Sequence, residues 1–440
     1  MSLPPGYDPG VFSVSQLASS LPPYSPRSRP STASGFRGST EHFFHLKDKK
    51  KKTWATLKLF SSAPAPNALP TFLEGDKITG LLTLDIPSGE KISGVAILVR
   101  GEIVIGPGKQ DRLCFLEILT PLWSKGGGYP GSAPRLDGRL SGDYRWPFSI
   151  YIPKDVVLPD PGRRGVVRTY HLPQTFLERS TKASAHYYLS VNITRSAFRE
   201  DSELRTMFVY VPAVRPDPPS ALRQRAYREN APIPGPDIDR DGWHTCPTAT
   251  LRGTVFNNRA VEVQCVFSLA KPLSYTRGSV IPCSLTLLCR DSQALNLLSA
   301  PTAINVHLRR QVNYPALSTL PLYLLPTPES VHEIGRAVWR PANDASRRPD
   351  SSRKFEGEIH LAKNLKPTTA ISDFTVRYFV ALLPLEVTGF LSADSQPLVE
   401  QEVQIATIFA KGPKPRSYAP SGYEAPEFAP LNSRSSGGFI

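Results

Sequence analysis

The sequence predicts an all-β protein with two tandem β-sandwiches and a disordered tail at each end. The first observation is the pattern of its residues: 45 Pro and 30 Gly in 440 residues interrupt short apolar runs. Runs spaced by roughly ten residues, with turn residues between them, are typical of β-sandwiches. The second observation is that the runs form two groups, 53–212 and 249–410, separated by a Pro-rich stretch at 213–248. The chain is long enough for each group to form a domain of ordinary size.

The first group, 53–212, contains about eight segments that alternate between apolar and polar residues. They are WATLKLF (54–60), ITGLLTLDI (78–86), ISGVAILVRGEIVIG (92–106), RLCFLEIL (112–119), DYRWPFSIYIP (143–153), VVRTYHLP (166–173), AHYYLSVNIT (185–194) and ELRTMFVYV (203–211). Such alternation predicts strands with one buried face. The segment 92–106 is either a pair of strands or one bent strand. Asn192, Ile193 and Thr194 match a glycosylation acceptor, but they fit better as strand residues, because the polar N-terminus does not resemble a secretory signal.

Residues 213–248 predict a linker, because Pro cannot donate to a strand ladder. Within it, ALRQRAYREN predicts a short helix. The second group, 249–410, again shows strand texture in segments starting at 249, 261, 275, 304, 355, 373 and 402. The polar, Pro-rich stretch 326–354 predicts a long loop.

The two ends of the chain predict disorder. Residues 1–52 are poor in apolar side chains and rich in Pro, Ser, Arg and Lys, and residues 411–440 have a similar composition. Segments of this kind cannot bury enough apolar surface to offset the entropy lost on ordering.

The net charge of +14 and the pI near 9.6 favour anionic partners, such as acidic lipid headgroups or phosphorylated proteins. Nucleic acid is disfavoured, because the sequence lacks zinc-finger spacing, recognition-motif aromatics and a long basic helix. A solubilising surface is the alternative reading of the charge. No apolar run reaches the roughly 20 residues of a membrane span, so a cytoplasmic protein is expected.

The sequence predicts no enzyme, metal site or cofactor. It has no Gly-rich phosphate loop, and its eight histidines are scattered without an i, i+4 pair. The five cysteines lack metal-ligand spacing and are odd in number, which favours buried thiols over disulfides. Cys283 and Cys289 are six residues apart in a strand-like run, so they are expected on one face, packed in the core.

Several segments resemble arrestins, in the order in which that family carries them. FLEGDKITGLLTLDIPSGEKISGVAILVRGE (72–102) resembles the opening of the N-domain, and WPFSIYIPKDVVLPD with AHYYLSVNITR (146–195) resembles its later strands. PLSYTRGSVIPCSLTLLCRD (272–291) and ISDFTVRYFVALL (371–383) resemble a C-domain hairpin and strand. The resemblance covers residues 54–410 and is closest to the α-arrestins. Arg290 and Asp291 depart from it, since the family often has Asn-x-Ser there.

The resemblance implies two immunoglobulin-like sandwiches of arrestin type in a non-catalytic adaptor. It further implies partners: a WW-domain HECT ubiquitin ligase, and cytosolic segments of membrane transporters or receptors. Such ligases bind [P/L]-P-x-Y, which the N-terminal segment carries twice, in Pro4, Pro5 and Tyr7 and in Leu21, Pro22 and Tyr24. Prolines favour an extended polyproline II conformation that docks on an aromatic groove at small entropic cost.

Chance produces about 0.3 such motifs in a chain of this composition. A third match, at 320–323, lies in an apolar run and is expected to be structural. The two N-terminal copies are therefore the predicted ligase ligands, and two copies on one segment can also act together through effective concentration.

A run of lysines precedes the first predicted sandwich and consists of Lys47, Lys49, Lys50, Lys51 and Lys52. Clusters of this kind are attracted to anionic membranes, so peripheral recruitment to the plasma membrane or endosomes is expected. A solvated tail or a nuclear-import-like run is the alternative. For the whole protein the alternative function is a structural, retromer-like trafficking subunit or a signalling scaffold without ligase contact. A β-sandwich glycosidase is a third class, but no pair of carboxylates indicates one.

Overall fold

The structure, a computed structural model, describes residues 39–108, 111–125, 140–178, 181–195, 200–314, 330–342, 350–419 and residue 423. Strands account for most of these residues and helices for few. The predicted all-β fold class is confirmed at this level.

Eleven strands lie between residues 40 and 211 of the described chain. They are β1 (Thr40–Lys47), β2 (Thr53–Ser61), β3 (Thr71–Leu73), β4 (Lys77–Glu90), β5 (Ile92–Val104), β6 (Arg112–Ser124), β7 (Leu140–Tyr151), β8 (Asp155–Pro159), β9 (Val167–His171), β10 (Ser184–Arg195) and β11 (Ser202–Val211). One sheet has the order β1-β2-β4-β7, a second has the order β3-β11-β10-β5-β6, and β8 pairs with β9 in a separate ribbon. All pairs are antiparallel except β3 with β11.

Strand alternation explains the core of these sheets. In β2, Leu57 and Leu59 are fully buried while Lys58 between them is not. In β5, Ile97 and Val99 are buried in the same way. Burying such a side chain contributes about 2 kcal/mol relative to leaving it in water. β5 is one continuous strand with register shifts against β6, which decides between the two alternatives for 92–106.

From Trp243 onward, the described residues form twelve strands and one helix. They are β12 (Trp243–Thr245), β13 (Ala249–Val255), β14 (Arg259–Ala270), β15 (Ser274–Thr276), β16 (Val280–Leu288), α2 (Ser292–Leu298), β17 (Val306–Asn313), β18 (Ser330–Pro341), β19 (Ser352–His360), β20 (Thr369–Ile371), β21 (Phe374–Leu382), β22 (Phe390–Ser392) and β23 (Val399–Ala406). These strands form one sheet in the order β15-β23-β21-β17-β18-β19-β16-β14-β13-β22. In addition, β12 pairs with β14, and β20 pairs with β21. The structure therefore consists of large, curled sheets.

Two local expectations are met in these sheets. Asn192, Ile193 and Thr194 lie within β10 as ordinary strand residues. Cys283 and Cys289 are 1% and 6% exposed, as core packing requires. Burial raises the pKa of both thiols, because the charged thiolate is costly in an apolar environment.

The predicted linker contains the expected helix, which is α1 (Ala221–Glu229). Ser220 caps its N-terminus by accepting the N–H of Arg223 at 3.2 Å. Arg223 is 1% exposed and donates to the carbonyls of Gly242 at 2.5 Å and Lys271 at 2.6 Å. Its guanidinium also lies 5.1 Å from the centre of the Trp243 ring. Because Lys271 directly follows β14, Arg223 ties α1 to the second group of strands.

Three predicted boundaries were wrong. Thr40–Lys47 form β1, paired along β2, although 1–52 was expected to be disordered. Part of the expected loop 326–354 forms β18, and residues 411–419 of the expected C-terminal tail have defined hydrogen bonds. In the first two cases strand pairing outweighs the local composition, because a strand ladder satisfies backbone groups whatever side chains it carries. Residues 411–419 form no ladder and are held by hydrogen bonds to side chains such as Asn230 and Glu358. The rest of these segments lies outside the described residues.

The described residues from Thr40 onward belong to one compact unit. Among them, no strand ladder joins a strand before residue 212 to one after residue 242. The sheets thus separate at the expected linker, whereas the division into two tandem sandwiches stays a prediction.

Candidate functional site

The residues predicted to bind a WW domain lie outside the described part of the chain. Pro4, Pro5, Tyr7, Leu21, Pro22 and Tyr24 all precede β1. The similar motif at 320–323 also falls in an undescribed range, 315–329. Both assignments therefore stay predictions.

The predicted basic patch forms the turn between β1 and β2. Its five exposed lysines, here called the basic hairpin, are Lys47, Lys49, Lys50, Lys51 and Lys52. Lys47 ends β1, and the others occupy the turn before β2 begins at Thr53. The patch is therefore part of the first sheet and not of a disordered segment.

Asp48 determines the shape of this turn. Its Oδ1 accepts the backbone N–H groups of Lys50 at 2.8 Å and Lys52 at 2.9 Å. Lys51 adopts the left-handed conformation, with φ of 64°. Lys52 Nζ lies 3.4 Å from Asp85 on β4. Because backbone groups occupy the carboxylate of Asp48, the turn presents several cations close together on a fixed backbone.

A second candidate site is a buried ion pair between the two groups of strands. Arg310 on β17 is 1% exposed, and Glu178, which follows β9, has a side chain that is 12% exposed. Arg310 Nη1 donates to Glu178 Oε1 at 3.0 Å, and Nη2 donates to Oε2 at 2.6 Å. The planar guanidinium thus holds the carboxylate at two points, a geometry that fixes orientation as well as distance.

Two further cations lie in this region: Lys366, which interacts electrostatically with Glu178 and Arg310, and Arg277, which interacts with Lys366. Arg277 Nη1 donates to Gln174 Oε1 and to the carbonyl of Leu365, both at 3.0 Å. Burial lowers the pKa of Arg277 and of Lys366, and for Lys366 the carboxylate of Glu178 opposes this effect. We call Glu178, Arg277, Arg310 and Lys366 the buried cationic cluster. Since Arg310 and Lys366 both interact with the carboxylate of Glu178, loss of that carboxylate would leave like charges buried together.

Two residues near this site strengthen the connection by packing. Phe176 and Phe374, one from each group of strands, meet edge to face with ring centroids 5.5 Å apart. The guanidinium of Arg310 lies 5.9 Å from the centre of the Phe176 ring. The cluster therefore combines charge pairing with apolar burial, and it can hold the two groups of strands in one arrangement.

Sequence reasoning missed the surroundings of one histidine. His171, at the end of β9, places Nε2 3.0 Å from Glu74 Oε2 and Nδ1 3.0 Å from Asp155 Oδ1. It was expected to be isolated, because Glu74 lies far from it in the sequence. The contact holds the β8–β9 ribbon against the end of β3. Within the described ranges, no group of three or more His, Cys, Asp or Glu side chains is arranged to hold a metal ion.

The buried cationic cluster was missed as well. Glu178 and Arg310 are separated by 132 residues, and nothing in the local pattern of either segment links them. One signal was available: Arg310 falls at an inward position of an alternating strand, where an arginine requires a partner.

Comparison with known proteins adds no assignment. No protein-family model matches the chain, and no curated protein matches it either. None of the helices in the described residues is long and apolar enough to cross a membrane. The observations that bear on function are therefore the two [P/L]-P-x-Y motifs, the basic hairpin and the arrangement of the sheets.

Proposed function

We propose that the protein is a non-catalytic, α-arrestin-like adaptor that links membrane proteins to a WW-domain HECT ubiquitin ligase. In this role it promotes their ubiquitination, endocytosis and trafficking. The observation that carries the proposal is the pair of [P/L]-P-x-Y motifs at 4–7 and 21–24. Both lie ahead of β1, which begins at Thr40, and outside the described residues.

The sheet arrangement supports the adaptor proposal. Strands before residue 212 and strands after residue 242 form separate ladders within the described chain, and the segment between them includes α1. We infer two tandem immunoglobulin-like sandwiches from this separation. The Glu178–Arg310 ion pair and the docking of Arg223 would fix their relative arrangement. A rigid pair of sandwiches offers a broad surface for cytosolic segments of transporters or receptors, with recognition carried by loops.

The basic hairpin supports peripheral contact with an anionic membrane. Each lysine near such a surface contributes about 1 kcal/mol of attraction. The basic hairpin lies at the end of a sheet, and this position places the charges of its lysines close together. The expected location is therefore the cytoplasmic face of the plasma membrane or of endosomes.

A pull-down with isolated WW domains tests the ligase contact. The double variant Tyr7→Ala, Tyr24→Ala is expected to lose binding, because each tyrosine fills the pocket beside the proline groove. Either single variant is expected to retain weaker binding through the other motif. The matched control is Tyr323→Ala, which alters the third copy and should bind as the unaltered protein does. Unchanged binding by the double variant would rule out these motifs as the ligands.

A second experiment separates the N-terminal segment from the sheets. Proximity labelling in cells compares the full chain with a form that lacks the first 30 residues. The truncated form is expected to lose the ligase and to keep its membrane cargo. Loss of both, or of neither, would contradict the division of roles proposed here.

A further inference from the structure

The segment Arg416–Ala419, here called the C-terminal strap, lies across the second group of strands. At its start, Arg416 Nη1 donates to Asn230 Oδ1 at 2.6 Å, directly after α1. The Tyr418 hydroxyl donates to the carbonyl of Ala231 at 2.8 Å. Arg340 on β18 donates to the carbonyl of Tyr418. The strap thus connects the end of α1 to the central strands of the large sheet.

Glu358 on β19 binds the C-terminal strap through hydrogen bonds. Its side chain is 8% exposed. Oε2 accepts the backbone N–H of Tyr418 at 2.8 Å, and Oε1 accepts that of Ala419 at 3.0 Å. The Ser417 hydroxyl donates to Oε1 at 2.5 Å. Three donors from consecutive residues therefore converge on one buried carboxylate, and hydrogen bonds to a charged acceptor are stronger than neutral ones.

Tyr418 and Ala419 of the strap close one side of a small cleft of about 40 Å³. The other walls come from β16, β18 and β19 and from the linker, where Ile233 and Trp243 contribute side chains. Further along the chain, the Tyr423 ring lies 4.8 Å from that of His360, which is two residues after Glu358 on β19. Tyr423 thus lies beside the same strand as the strap, and opening the strap would expose the cleft.

Ser417 combines accessibility with contact to a buried charge. The residue is exposed, so an enzyme can reach it, yet its hydroxyl touches Glu358. A phosphate on this oxygen carries nearly two negative charges and can no longer donate a hydrogen bond to the carboxylate. Two anions at this distance repel strongly in a partly desolvated site.

Of the nearby cations, Arg340 and Lys354 are paired with carboxylates, whereas Arg416 donates to the neutral side chain of Asn230. Arg340 Nη2 lies 3.0 Å from Glu356 Oε2, and Lys354 forms an ion pair with Asp237. His360 Nε2 lies 2.8 Å from Glu358 Oε1 but forms no hydrogen bond with it. To gain a cationic partner, a phosphate at position 417 would have to break one of these ion pairs or draw Arg416 away from Asn230, and the second change would itself free the start of the strap.

We propose that Ser417 is a phosphorylation site and that its phosphorylation releases the C-terminal strap and opens the cleft. A protein kinase transfers the γ-phosphoryl group of a nucleoside triphosphate to Ser417 Oγ. The bond from phosphorus to the bridging oxygen breaks, the serine proton passes to the kinase, and the nucleoside diphosphate leaves. This inference does not depend on the adaptor function proposed above.

Hydrogen exchange of the full-length protein, with and without phosphoserine at position 417, tests the release. The readout is the peptide that spans 415–420, whose prolines at both ends have no N–H group. The Tyr418 and Ala419 amides are expected to exchange at least about tenfold faster after phosphorylation, since both lose their acceptor. Unchanged or slower exchange would overturn the proposal, and slower exchange would indicate that Arg340 captures the phosphate.

Substitutions at position 417 separate the effect of a negative charge from the effect of side-chain size. Ser417→Asp is expected to speed exchange, while the neutral control Ser417→Asn, of nearly equal size, should do so less. In a Glu358→Gln background the difference between Asp and Asn should shrink, because the repelling carboxylate is gone. Exchange of β5 in the same samples reports whether the fold is intact. An equal difference between Asp and Asn in both backgrounds would refute the role of Glu358.

Discussion

Arg310 and Glu178 meet in a two-point ion pair, with N–O distances of 3.0 Å and 2.6 Å, across the junction between the two groups of strands. Arg310 is almost completely buried, and its position on β17 allows it no access to bulk water. A buried pair of this kind gains little over an apolar pair of the same shape, but losing one partner leaves a charge without compensation. The junction therefore depends on both residues being present.

Replacing Glu178 by Gln is expected to lower the free energy of unfolding by about 3–5 kcal/mol, because Arg310 would lose its two-point partner and Lys366 would lose a nearby negative charge. Chemical unfolding measures the change. The matched control is Glu402→Gln, which breaks an ion pair with Arg377 whose side chains are 42% and 46% exposed. That change should cost at most about 1 kcal/mol. Equal costs for the two variants would show that the buried pair does not stabilise the junction.

Arg223 offers a test of how the linker helix docks. Arg223→Lys removes the planar fork that reaches the carbonyls of Gly242 and Lys271 together. The expected result is a loss of about 2 kcal/mol and faster hydrogen exchange across α1. Arg225→Lys is the control on the same helix, because Arg225 is exposed and pairs only with Glu229 at i+4 among the described contacts. Protection of α1 that is unaffected by Arg223→Lys would contradict the docking role.

His42 predicts a dependence of stability on pH. It is 2% exposed, and burial lowers its pKa below the usual 6.5. Its Nδ1 lies 3.2 Å from the carbonyl of Pro66, which can only accept, so Nδ1 carries the proton and Nε2 accepts from the Ser61 hydroxyl at 2.8 Å. The folded state therefore favours neutral His42, while the unfolded chain takes up a proton near pH 6.5.

Because the folded state favours neutral His42, the stability that this residue contributes is fully present above pH 6.5. It declines as the pH falls towards the pKa of His42 in the folded protein. Between pH 6.5 and 5.5 the protein is expected to lose up to about 1 kcal/mol more than a His42→Gln variant. Unfolding free energies measured at the two pH values give the comparison. His45→Gln, on the same strand but exposed, should follow the unaltered protein. Parallel pH curves for the His42 variant and the unaltered protein would exclude this coupling.

Local patterns were enough to predict the strands but not the contacts between distant segments. Alternation in WATLKLF and ISGVAILVRGEIVIG predicts β2 and β5, because a strand with one buried face must repeat every second residue. β1 was missed because TEHFFHLK buries a polar residue, His42, and continues into lysines. The partners of Arg310, Glu358 and His171 lie far away in the sequence, so only the folded chain brings them together.

The basic hairpin gives a final prediction about membrane binding. Replacing Lys49, Lys50 and Lys51 by Ala is expected to weaken binding to vesicles with anionic headgroups by about 3 kcal/mol, near 100-fold, at low salt. The charge-keeping control changes the same three residues to Arg and should bind normally. Sedimentation with anionic and with neutral vesicles separates lipid charge from other attraction, and raising the salt should reduce the difference between the variants. If the Ala variant binds anionic vesicles as the unaltered protein does, the attraction to the membrane does not come from these three lysines.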